Sequence, residues 1–322
     1  MDYRKIIKFG GSSHVVSIPN SWLKKNNLKK GDVVYFEENG NNELVFSPRI
    51  SEDKEIEKYI IDVSNKSDSE LKREISQAYV NNFHTIIIKG ENLNPVVYTK
   101  VRSNLHSLMA LEIIEQTSDK IVAKDFLNMK EISIKELIRD MDTIIRSMFI
   151  DSRDSYKKDL AENLLHRDED VNRLHFLACR TVIYNLKNPN VAKEHELSSP
   201  QLLQYWVITT RLEEIADECK RVARFFCKVK LPKEKCNEFV KFYDDISNTY
   251  LEVMKSFYTN DRDLALKLVV KKQELMHKCD EFYEKNYKVE FVPQLVERTR
   301  FMVNCLHSLI RIIFIAEPNR FI

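Results

Sequence analysis

Residues 210–226 read TRLEEIADECKRVARFF. Leu212, Ile215, Ala216, Cys219, Val222, Ala223 and Phe226 recur there at three- and four-residue spacing, the period of one apolar stripe on an α-helix. The surrounding chain has the same character. Its only glycines are at positions 10, 11, 31, 40 and 90, so residues 91–322 contain none. Glycine supplies positive-φ turns, which strand-rich folds use often. A long glycine-free segment therefore predicts helices. Pro200, Pro232 and Pro293 each stand at the start of a helical stretch. Ser133-x-x-Glu136 reads as a capping box, and Asn260-Asp261 as a break. The expected helices are 133–150, 152–188, 200–229, 233–258, 262–287 and 293–315. Their short loops predict antiparallel neighbours. A split near Leu231-Pro232 divides them into two sets of three, over 133–230 and 232–316.

Residues 50–130 alternate instead. KYIIDV, HTIIIK, ALEIIEQ and KIVAKDF read as strands. SDSELKREISQAYVNN and PVVYTKVRSNLHSL read as helices, the first opened by the capping box Ser67-x-x-Glu70. This predicts a small sheet with helices on one face. A single glycine excludes a glycine-rich phosphate loop, and no catalytic signature is present.

Residues 1–48 differ again. RKIIKF, HVVSIP, DVVYFEE and ELVFSP are strand candidates, with Asn39-Gly40 as a hairpin turn. NSWLKKNN is one short helix, capped by Asn20 or Ser21. Below about 50 residues a unit buries too little apolar surface to stand alone. With no disulfide or metal ligands, dimerisation is the remaining device. The charge is equally unusual. Residues 4–31 hold seven Lys or Arg and no Asp or Glu, while the whole chain has 51 basic and 49 acidic side chains. Subtracting those seven leaves 44 basic against 49 acidic, a net −5 for the remainder. Such asymmetry points to a polyanion partner for Arg4, Lys5, Lys8, His14, Lys24, Lys25, Lys29 and Lys30. The plainer alternative is that the lysines only solvate a helix and its exit.

The bulk numbers describe a folded soluble chain of several domains. No apolar run is long enough to span a bilayer, and no secretion signal is visible. The six cysteines are scattered without a C-x-x-C pair, which predicts reduced thiols in a cytoplasmic protein. His166, His175, His277 and His307 lack metal spacing and read as core-edge or surface residues. Glu213 and Asp217, four apart on the striped helix, share a face and are able to chelate a cation. They equally fit an ordinary ion pair of Asp217 with Arg221.

Two resemblances sharpen these readings. Roughly residues 3–48 resemble the SpoVT/AbrB swapped-hairpin DNA-binding family, through RKI, HVVSIP ending in Pro19, WLKKNNL and KKGDVV. The resemblance implies an intertwined dimer that places Arg4, His14, Lys24 and Lys25 against DNA. The family often has Arg where His14, Lys24 and Lys25 stand here. Lysine acts more as a point charge than as a bidentate reader of guanine, so phosphate-directed binding is expected.

TRLEEIADECKRVARFF resembles the signature helix of PhoU domains, and HRDEDVNRLHFLACR (166–180) the companion helix. The pattern of two three-helix repeats after an α/β segment resembles archaeal PhoU-family phosphate-uptake regulators that carry an AbrB-like arm. A divalent metal held by Asp168, Glu169, Glu213 and Asp217 in the first repeat follows from that resemblance. Oxygen donors suggest Mg, Mn or Ca, whereas relatives are associated with iron and zinc. Asn172 replaces the companion helix's second acid. In the second repeat Thr299 and Val303 replace the acidic pair, so no second metal is expected. The expected fold is multidomain and mainly α. The expected function is a dimeric, non-enzymatic, DNA-binding transcriptional regulator of phosphate uptake and intracellular phosphate homeostasis, without an organic cofactor. The alternative is an adaptor that docks its bundles on a phosphate transporter or its sensor and uses the arm only to dimerise.

Overall fold

The computed structural model describes residues 3–38, 44–48, 58–64, 66–91, 93–158 and 160–315. The chain divides into two compact units, Met1–Glu55 and Ile56–Ile322.

In the first unit β1 (Ile7–Phe9) pairs antiparallel with β2 (Ser13–Val15). Gly10 makes the turn between them at a φ of +69°, a conformation that costs glycine little. The short helix α1 (Asn20–Lys25) follows. Its N-cap is Pro19, with no side-chain capping bond, rather than Asn20 or Ser21. Proline's fixed φ suits entry into a first turn and supplies the cap position without a polar side chain. The helix ends with Asn27 at a φ of +54°, Leu28 N–H donating to Leu23 C=O at 2.9 Å and Asn27 N–H to Lys24 C=O at 3.2 Å. This is the six-to-one, five-to-two closure that ends many helices. Then β3 (Tyr35–Glu38) pairs antiparallel with β4 (Leu44–Ser47). The expected Asn39-Gly40 turn lies outside the described residues.

The second unit begins with a sheet. Its strands are β5 (Lys58–Asp62), β6 (Thr85–Lys89), β7 (Leu111–Gln116) and β8 (Lys120–Asp125), in the order β5-β6-β8-β7. The helix α2 (Asp68–Val80) crosses between parallel β5 and β6, and α3 (Pro95–His106) leads into the antiparallel β7–β8 hairpin. Ser67 and Glu70 form the expected capping box. Ile61, Ile86, Ile88, Ile121 and Ala123 line one sheet face and pack on Leu71, Ile75, Val101 and Leu105 of the two helices. Gly90 ends β6 beneath Val63, whose Cγ2 would lie 2.5 Å from an added Cβ.

A 3-10 turn (Met129–Glu131) leads into the helices: α4 (Ile134–Asp154), α5 (Ala161–Lys187), α6 (Pro189–Glu194), α7 (Ser199–Phe226), α8 (Lys233–Thr259), α9 (Arg262–Leu268), α10 (Lys271–Asn286) and α11 (Val292–Ile315). The striped helix, α7, is central and packs on α4, α5 and α11. All seven stripe residues are buried, and one continuous core runs through both helical sets.

Three boundaries differ from expectation. The second helix starts at Ala161, not 152, because Ser152 and Ser155 hydroxyls take the carbonyls of Phe149 and Ser152 at the end of α4. Pro189 opens the separate short helix α6. The stretch 262–287 breaks at Val269-Val270, where two β-branched residues make a weak point between α9 and α10.

One buried cation ties the sheet region to the helices. Arg180 of α5, 1% exposed, pairs with Asp125 of β8 and donates from Nε to Asn82 Oδ1 at 3.1 Å. Its guanidinium lies over the Tyr79 ring, 4.4 Å from the centroid. A second tie joins the helical sets: Asp142 of α4 accepts from Tyr250 and Tyr258 hydroxyls at 2.7 and 3.0 Å, besides Arg146.

Candidate nucleic-acid interface and carboxylate cluster

In the first hairpin the register places Lys8 directly opposite His14, Ile7 opposite Val15 and Phe9 opposite Ser13. Strand alternation then puts Lys8 and His14 on one face and Ile7, Phe9 and Val15 on the other. In the second hairpin Phe36 stands opposite Phe46, their ring centroids 6.1 Å apart. Within this unit no described residue is buried; Phe9 is 69% and Phe36 68% exposed. Covering such a side chain is worth about 1.5–3 kcal/mol. A two-stranded hairpin alone is marginal in water.

The eight basic candidates, Arg4, Lys5, Lys8, His14, Lys24, Lys25, Lys29 and Lys30, are all exposed. Lys24 and Lys25 occupy the last turn of α1, where the helix dipole favours cations. Among the described residues no carboxylate lies within ion-pair distance of Lys5, Lys8, Lys24, Lys25, Lys29 or Lys30. Asp32, the nearest acid in sequence to Lys29 and Lys30, accepts instead from the backbone N–H of Lys29 at 2.6 Å.

The acidic candidates are arranged differently. Asp168 of α5 is buried and Asp217 of α7 half-buried, and both face Lys220, whose ammonium is 2.6 Å from Asp168 Oδ2 and 2.8 Å from Asp217 Oδ1. The other Asp217 oxygen takes Arg221 at 2.5 Å, the plain i,i+4 pair. Asn172 completes the cluster, 3.3 Å from Asp168 Oδ2. Burial pulls the Lys220 ammonium toward neutrality, but its hydrogen bonds to Asp168 and Asp217 outweigh this and hold its pKa above the usual value. Glu213 sits at the edge of the cluster. Burial first, then the charges of Asp217 and Asp168, push its pKa up to about 7. Glu169 is not part of the group: its exposed carboxylate lies 3.6 Å from His166.

Of the four residues expected to chelate a metal, two meet across α5 and α7, and the cation between them is Lys220. Among the described residues no group of three His, Cys, Asp or Glu is placed to hold a metal ion. As arranged, the set does not fit a divalent metal. Lys220 is the residue that sequence reasoning missed. Its i+3 spacing from Asp217 was visible, but its contact with Asp168, 52 positions away, was not. In the second helical set Thr299 is buried and its hydroxyl donates to the Val296 carbonyl at 2.8 Å, a core role. His166 and His277 are exposed beside Glu169 and Glu281, while His175 and His307 are half-buried.

Two family models match the chain. Residues 138–226 match the PhoU domain, and residues 7–53 match the antidote-toxin recognition MazE bacterial antitoxin. Among solved structures the chain is similar to PhoU from Pseudomonas aeruginosa, at 15% identity and a TM-score of 0.42, covering 56% of this chain and 90% of that one. No curated protein matches. No helix among the described residues is long and apolar enough to cross a membrane. The PhoU match takes in α5 and α7 with the Lys220 cluster, and the antitoxin match takes in both hairpins and Lys8, Lys24, Lys25, Lys29 and Lys30. The chain is thus similar to PhoU domains over 138–226 and to MazE/AbrB-like domains over 7–53.

Proposed function

We propose that this protein is a cytoplasmic, DNA-binding transcriptional regulator of phosphate uptake and intracellular phosphate homeostasis, dimeric through its N-terminal unit. The observation that carries the reading is the state of that unit. Six lysines face solvent without a carboxylate partner among the described residues, on a scaffold whose apolar side chains are exposed. A second copy would cover the apolar side, and a polyphosphate backbone would neutralise the cations. The Lys8–His14 pair and the α1 lysines carry charge without bidentate geometry, so affinity is assigned chiefly to phosphates. The PhoU-like region supports a regulatory role rather than a catalytic one, with a phosphate transporter or its sensor as a further partner. Regulation requires two states of the helical unit that bias the paired arms differently.

Deleting residues 1–48 tests the reading. The full chain should bind duplex DNA with an affinity that falls steeply with salt, and the deletion should abolish binding. Binding unchanged by the deletion would reject the role of the unit. Loss of dimerisation without any duplex binding in the full chain would favour the adaptor.

A further inference from the structure

A cavity of about 260 Å³ opens between α7 and α11. Asn304, Ser308 and Arg311, spaced by four and three on α11, share one face and form much of its polar wall. Arg211 enters from α7, His307 flanks the wall, and Phe301 supplies the apolar rim. Arg211 is fixed in place: its Nε donates to Ser308 Oγ at 3.1 Å and its Nη1 to Glu214 Oε2 at 2.5 Å. Arg311 is different. Among the described residues it has no carboxylate partner, and the Asn304 side chain has no hydrogen-bond partner. Lys272 of α10 lies on the far side of His307, also without a carboxylate. Burial first, then the charges of Lys272 and Arg311, keep the His307 pKa low, in keeping with a positive surround.

Among the described residues no carboxylate lines the cavity. Glu214 answers Arg211, and among the described residues no carboxylate answers Arg311. A cation would be repelled there. A neutral ligand would leave the guanidinium fork unmatched, whereas an oxyanion accepts from it in charge-assisted pairs. The donors converge from two helices and from different directions, which suits a tetrahedral anion better than a planar carboxylate. At about 30 Å³ per water the volume holds about eight waters, room for a phosphate group with bridging solvent.

We propose that the cavity between α7 and α11 binds a phosphate-type oxyanion, gripped by Arg211 and Arg311 and oriented by Asn304 and Ser308. Its role as the sensed species rests on the regulatory reading above; the site itself does not. Because α7 belongs to the first helical set and α11 to the second, the anion bridges the two, and occupancy would favour one arrangement of the pair over another.

Calorimetric titration of the full chain tests this, with inorganic phosphate and with adenosine monophosphate as separate arms. Saturable binding of either is expected, weakened about tenfold or more by Arg311→Gln, which removes a charge-assisted partner. Arg311 is exposed, so the variant should fold; Ser308→Ala should weaken binding less. Arg300→Gln, on α11 but outside the cavity, disrupts only an ion pair with Asp280 of α10 and should leave binding intact. Tighter binding of the monophosphate would name a nucleotide as the source of the phosphate group; tighter binding of phosphate would name the free ion. Absence of saturation up to about 10 mM, or equal affinity in Arg311→Gln, would overturn the proposal. Duplex binding is measured on the same samples. DNA binding retained without oxyanion binding sinks this site alone, and the reverse sinks the DNA-binding reading alone.

Discussion

The two units use the same residue types in opposite ways. In the helical unit three deeply placed charges are matched: Arg180 meets Asp125, Lys220 meets Asp168 and Asp217, and Asp142 meets Arg146 and two tyrosines. Its apolar side chains fill one core. In the first unit the exposed lysines have no carboxylate partner among the described residues, and Ile7, Phe9, Phe36 and Phe46 are exposed. Pairing follows burial, since an unmatched charge is tolerable only in water or against a partner. The small unit instead leaves its lysines and its apolar side chains exposed, the surfaces that the proposed second copy and polyanion would cover.

The largest expected effect lies in the self-sufficient unit. Arg180→Met strands the buried Asp125 carboxylate and frees Asn82, so unfolding stability should fall by about 3–5 kcal/mol in denaturant titration. A loss below about 1 kcal/mol would show that the sheet region does not depend on this tie. Next comes the incomplete unit. Ile7→Ser combined with Phe9→Ser should weaken the dimer by about 3 kcal/mol, a hundredfold or more in dissociation constant by analytical ultracentrifugation. An unchanged dimer would place the interface elsewhere.

A smaller effect concerns Glu213. Its folded pKa, about 7, lies above the ordinary 4.5, so the folded chain holds this proton more tightly than the unfolded one. The resulting stability is fully present below pH 4.5 and is lost as pH rises through about 7. Glu213→Gln should therefore be more stable than wild type at pH 8 by about 2 kcal/mol, under a ceiling of about 3 kcal/mol set by the shift. Equal pH profiles for the two proteins would contradict this. The smallest effect is on metal content. Because Lys220 supplies the cation, elemental analysis should find the same substoichiometric divalent metal in wild type and in Glu213→Gln. One equivalent lost on substitution would restore the chelating reading.

The same contrast explains what could be read in the chain. Local signals were legible: the α7 stripe, the Ser67 capping box, the glycine-free stretch and the carboxylate-free window of residues 4–31 all depend on neighbours a few positions away. Pro19 capping α1, the late start of α5 and the break at Val269-Val270 were not legible as boundaries, because competing side-chain bonds and packing decide them. Glu213-x-x-x-Asp217 was ambiguous in one dimension, fitting a metal or an ion pair alike. Only the approach of α5 brings Asp168 against Lys220, an arrangement that fits the ion pair. The cavity proposed to take an oxyanion left no local trace, since Arg211 and Arg311 lie a hundred residues apart and line it together only through the α7–α11 packing.

The unpaired lysines are the centre of the account, and the salt dependence of duplex affinity tests them most directly. Each phosphate neutralised contributes about −0.9 to the slope of log K against log salt. For Lys24→Gln, Lys25→Gln, Lys29→Gln and Lys30→Gln combined, the slope should flatten by about 3 to 4 relative to wild type, with the dimer intact. Identical slopes for the two proteins would contradict it.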